Sequence, residues 1–121
     1  MATKGSGSGR LQRMESEMQR VLAELVSREV KDPRVGPVTV TQVVLARDLS
    51  HAQVFVVPFG GGNAHPQMLQ GLAAAAGFLR GETGRRVGLR HAPRLQFVQD
   101  DSFDRAAELT ALINSANKPR S

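Results

Sequence analysis

From Leu11 onward, apolar residues return every three or four positions, at Leu11, Met14, Met18, Val21, Leu22, Leu25 and Val26, with polar residues between them. That spacing lines one side of an α-helix. The helix is expected to end before Pro33, because the residue preceding a proline is pushed out of the helical region. Its other positions alternate in charge, with Arg10, Arg13, Arg20 and Arg28 among Glu15, Glu17, Glu24 and Glu29. Glu24 stands four residues before Arg28, the favourable order for a helical ion pair, so this side reads mainly as a solvated face.

The period then shortens to two. Val38 to Leu45 and His51 to Val57 are rich in β-branched residues and flank the polar turn Arg47-Asp48-Leu49-Ser50, which predicts an antiparallel hairpin. Val38-Thr39-Val40-Thr41 suggests one buried face, and Val54-Phe55-Val56-Val57 a more central second strand.

After Gly60-Gly61-Gly62-Asn63 a helix is expected from Pro66, through Met68, Leu69 and Leu72, to about Ala75. Gly77, Gly81, Gly84 and Gly88 follow. Each costs about 1 kcal/mol relative to Ala within a helix, so an unbroken helix to Leu89 needs a compensating reason. On helical geometry they form one bare stripe that another backbone, RNA or protein, can approach. Leu95 to Val98 reads as a third strand. Asp100-Asp101-Ser102 offers N-caps for a last helix carrying Phe103, Leu109, Leu112 and Ile113. Helices packed on one side of a three-stranded sheet, an α+β domain, is the simplest two-layer solution for this order. The expected organisation is a flexible arm over 1–9, one domain over 10–116 and a polar tail over 117–121.

Composition narrows the function. Sixteen Lys and Arg against eleven Asp and Glu give a net charge of +5. This favours a polyanionic partner, since each cation that meets a phosphate releases condensed counterions. The absence of Trp and Tyr, with five Phe, leaves the core to aliphatic side chains and limits base stacking. The absence of cysteine removes disulfides, thiolate nucleophiles and Cys-ligated zinc, and fits a reducing, cytoplasmic setting. No apolar run approaches the roughly 18 to 20 residues that span a bilayer.

Catalytic signatures are missing. His51, His65 and His91 stand in no metal-ligand spacing, and the chain contains no Gly-x-Ser-x-Gly elbow, Walker motif or dinucleotide glycine fingerprint. Asp100-Asp101 is better explained by capping than by a cation. Neither metal nor cofactor is expected. The basic residues are more informative: between Phe78 and Phe97 stand Arg80, Arg85, Arg86, Arg90 and Arg94 against the single acid Glu82. Arginine's planar fork suits bidentate phosphate contact, although a solvated helix face explains the same residues equally well. Lys31 and Arg34, in the turn after the first helix, are further phosphate candidates. Gly81-Glu82-Thr83-Gly84 formally matches the Gly-x-x-Gly loop with which KH domains clamp a nucleic-acid backbone.

Taken together, Arg28 to Gly36, the turn Ala46-Arg47-Asp48-Leu49-Ser50 and Ala75-Ala76-Gly77-Phe78-Leu79-Arg80 resemble the ribosome-binding factor A family. The resemblance continues through Leu89-Arg90, Pro93-Arg94-Leu95 and Asp100-Asp101-Ser102. It implies a KH-like fold of the second type in which a kinked Ala-x-Gly, here Ala75, Ala76 and Gly77, replaces the Gly-x-x-Gly turn. The match at Gly81 to Gly84 then falls inside the following helix. It also implies a non-enzymatic assembly factor that binds the small (30S) ribosomal subunit and assists late maturation of 16S rRNA, above all in the cold; nothing in the sequence suggests an obligate dimer, and a monomer is expected. The rival readings are a general KH-type single-stranded RNA binder and a protein-binding adaptor that seats a partner helix on the glycine stripe.

Overall fold

The first helix, α1, spans Ser8–Glu29 in the computed structural model, which describes residues 8–58 and 65–101. It begins within the stretch expected to be a flexible arm and stops before Pro33. Its stripe is the heart of the core, with Met18, Val21, Leu22, Leu25 and Val26 all buried. Strands β1 (Val38–Leu45) and β2 (His51–Pro58) form the hairpin. Helices α2 (Met68–Ala74) and α3 (Ala76–Val87) follow, and β3 (Arg94–Gln99) completes the sheet. The strand order is β1-β2-β3, with β2 antiparallel to β1 and parallel to β3. The last helix expected from the sequence lies outside the described residues.

One face of the sheet supplies Val40, Val43, Leu45, Ala52, Val54 and Val56 to a single apolar cluster with α1, Met68, Leu72 and Leu79. The helices therefore share that face. Alternation along β1 is interrupted by a bulge between Val40 and Gln42, which adds one residue and reverses the faces beyond it. This is why Val43 is buried while its neighbour Val44 is exposed. The Gln19 side chain of α1 donates to the carbonyls of Val40 and Thr41 at the bulge, at 3.2 and 3.1 Å. Glu15 accepts from the Leu45 N–H at 2.9 Å. Two positions on the polar side of α1 thus cover the edge strand, a service beyond solvation.

The hairpin turn holds Leu49 at φ 62°, a left-handed conformation uncommon for a bulky residue. Leu49 packs against the core, and its N–H donates to the Ala46 carbonyl at 2.9 Å. Core contact and turn bond together hold the conformation.

Candidate nucleic-acid interface

Helices α2 and α3 meet at Ala75, whose φ of −92° and ψ of −2° fall at the edge of the helical region. Its N–H donates to Leu72, three residues back, and its carbonyl accepts from Leu79. One tightened turn redirects the chain there. Gly77 lies within α3, without a positive φ and with open space where a Cβ would stand. Glycine's access to unusual angles is therefore not what breaks the helix at Gly77. The bend sits at Ala75, which is half-buried against the core.

The glycine stripe also divides. A Cβ on Gly84 would stand 2.9 Å from that of Ala92, so Gly84 lets the turn after α3 fold back onto the helix, while Gly81 faces open space. Gly88 ends α3 at φ 82°, a left-handed cap suited to glycine. In the Gly-x-x-Gly match, Thr83 and Gly84 are both buried, so the pattern forms no exposed clamp. The Thr83 hydroxyl has no hydrogen-bond partner among the described residues.

The arginines differ in their ties. Arg80 donates to the Ala92 carbonyl at 3.0 Å, fastening α3 to the approach to β3. Arg86 reaches across to Glu24 of α1 at 3.4 Å, and Glu24 also holds Arg28 at 3.0 Å. Arg85 pairs with Glu82 on its own helix and stays largely exposed. Arg90, also exposed, makes no ion pair among the described residues. Arg80 and Arg85 are about 140° apart around the helix axis, so the cations surround α3 without sharing one face.

At the far end of α1, Lys31 is exposed beside a depression bordered by Val26, Val30, Pro33 and Pro37. Arg34 is committed to Asp32, with Nε 3.0 Å from Oδ1 and Nη2 2.5 Å from Oδ2, while its backbone N–H donates to Oδ1 at 2.9 Å. These bonds stabilise the carboxylate and hold the Asp32 pKa down at about 2. The turn abuts α2, where a Cβ on Gly71 would meet Val35 at 2.8 Å. Arg34 therefore shapes this turn before it meets any ligand. Asp100 accepts from the Thr41 hydroxyl at 2.6 Å, and no cluster fit for a metal occurs among the described residues. Nor is any helix there long and apolar enough to cross a membrane.

The family model of ribosome-binding factor A matches residues 10–113. The chain belongs to the ribosome-binding factor A family. Ribosome-binding factor A of Pseudomonas entomophila is 52% identical over 109 residues, covering 88% of this chain and 83% of the relative. The crystal structure of ribosome-binding factor A from Thermus thermophilus aligns with a TM-score of 0.64 at 33% identity, over 73% of this chain and 93% of that one. A homology model of the Thermus thermophilus factor, fitted into the cryo-EM map of a 30S complex, aligns with a TM-score of 0.63 at 32% identity. It covers 74% of this chain and 93% of that one. Ribosome-binding factor A structures thus share this α+β, KH-like arrangement.

Sequence reasoning overlooked one residue in this region. Phe78, three residues past the bend, is 51% exposed. Its apolar character alone would assign it to the core. The only local hint is that the residues a turn away, Ala74, Ala75, Gly81 and Glu82, include no large apolar side chain to cover the ring.

Proposed function

We propose that this protein binds the small ribosomal subunit and assists late maturation of its 16S rRNA in the cytoplasm, catalysing nothing itself. The observation that carries the reading is the likeness to the factor fitted into a 30S complex, which extends over 93% of that chain. The excess of arginine in α3 and the turn after it supplies a physical means of grip. In this reading Arg80, Arg85, Arg86 and Arg90 meet rRNA phosphates, with Lys31 and Arg34 as a second, weaker contact, and the bend at Ala75, the first residue of the Ala75-Ala76-Gly77 kink, sets the angle at which α3 is presented. Action as a monomer and a heightened need in the cold belong to the same proposal. The rival, a general single-stranded RNA binder, is disfavoured because the Gly-x-x-Gly match is half buried.

Sedimentation of the tagged protein from a lysate tests the reading. Co-migration with small subunits, together with accumulation of incompletely processed 16S rRNA when the protein is depleted, is expected. Migration with neither subunit, or normal rRNA ends after depletion, would contradict it.

A further inference from the structure

Of the five phenylalanines, Phe55 and Phe97 are partly buried in the sheet, Phe59 and Phe103 lie outside the described residues, and Phe78 stands out into solvent. Its ring is absent from the apolar cluster that the rest of α3 joins through Leu79 and Val87. Gly77 precedes it and Gly81 lies one turn further on, and at both the space a Cβ would occupy has nothing within 4 Å. The ring therefore has open space on the side of Gly81, with room there for another flat group.

The charge nearby selects the occupant. Arg85 is seven residues along the same face, two turns or about 10 Å away. Its ion pair with Glu82 is exposed, and such pairs contribute little to stability. A guanidinium has five N–H donors, so Arg85 can keep Glu82 and still offer hydrogen bonds to an anion. An apolar protein partner would call for large apolar neighbours around Phe78, as at the packed centres of protein interfaces. Here the positions one turn to either side of Phe78 are Ala74, Ala75, Gly81 and Glu82, none of them large and apolar.

We infer that Phe78 is a stacking platform for an unpaired nucleobase of ribosomal RNA, with Arg85 taking a phosphate of the same strand. This rests on the proposed function, and it gives α3 a contact that arginines alone do not: a flat surface for a base in a loop or bulge, tolerant of base identity.

The absence of Trp and Tyr from the chain makes Phe78→Trp a single-fluorophore reporter at the site. With purified small subunits, Phe78→Trp should bind at least as tightly as the wild type, with its emission, after subtraction of that of the subunits alone, quenched on binding. Phe78→Ala should weaken binding about five- to a hundredfold. Phe78→Leu, which keeps the apolar bulk and loses the π face, should be weakened nearly as much. All three should fold, as circular dichroism can check, because the ring lies outside the core.

An unchanged affinity in Phe78→Ala, or an unquenched indole in a bound complex, would overturn the inference while leaving subunit binding intact. Wild-type affinity in Phe78→Leu with a weakened Phe78→Ala would also overturn it, in favour of apolar docking on a protein. If the wild type fails to bind subunits, the proposed function falls instead. Titration of Phe78→Trp with an oligoadenylate then decides the stacking separately: quenching keeps it, and no change ends it.

Discussion

Helices α1 and α3 are both rich in arginine, yet they contribute to the protein in opposite ways. The first fills the core with Met18, Val21, Leu22, Leu25 and Val26 and balances its arginines with glutamates. The second buries little more than Leu79, Thr83 and Gly84. It fits its neighbours partly through a missing side chain, since Gly84 admits Ala92. A helix that buries so narrow a strip leaves the remainder free, and that remainder carries Phe78, Arg85 and the open glycines. One helix is therefore read from the side chains it has, the other from where it has none.

The largest effect should come from α1. Leu22 is fully buried, so Leu22→Ala should lower stability by about 2–5 kcal/mol, measured by thermal or denaturant unfolding. Unchanged stability would mean that the stripe of α1 is not the centre of the core.

A smaller and more discriminating test contrasts two glycines of α3. Gly84→Ala forces its methyl against Ala92 and should destabilise by roughly 1–3 kcal/mol, as overpacking does. Gly77→Ala enters open space in a helical segment and should stabilise by about 0.4–1 kcal/mol, chiefly by restricting the unfolded chain. Shifts of the same sign in the two melting curves would erase the distinction drawn between them.

These contrasts also mark what was legible in the sequence. The stripe of α1, the hairpin and the third strand follow from local periodicity, and all three appear. The bulge left no local signal, because Val43 and Val44 are identical neighbours and only the register against β2 buries one of them. The parallel pairing of β2 with β3 depends on contacts far apart in sequence. Helix α2 begins at Met68, two residues after Pro66, because the chain first closes a tighter turn: the His65 carbonyl and Nδ1 accept from the N–H groups of Met68 and Gln67, both at 3.0 Å, and the helical bonding starts with the Gly71 N–H donating to the Gln67 carbonyl.

Within the candidate interface, the arginine-rich stretch was evident as composition. The ties that hold Arg80 to Ala92 and Arg86 to Glu24 are tertiary, and they sort the structurally engaged cations from the available ones. Gly77, Gly81, Gly84 and Gly88, at spacings of four, three and four, look alike as letters. They differ because each faces a different neighbour in the folded chain, and no spacing rule encodes that.

The proposed grip on ribosomal RNA runs through phosphate contacts on the outward side of α3 and the turn beyond it. It is tested most directly by replacing Arg85 and Arg90 together with Gln, which spares the bonds of Arg80 and Arg86 to other parts of the fold. Affinity for purified small subunits is then measured across a series of salt concentrations. A folded variant that binds more weakly is expected, with the slope of log affinity against log salt shallower by roughly 0.7 to 0.9 for each phosphate that is no longer neutralised. An affinity and a salt slope equal to those of the wild type would contradict it.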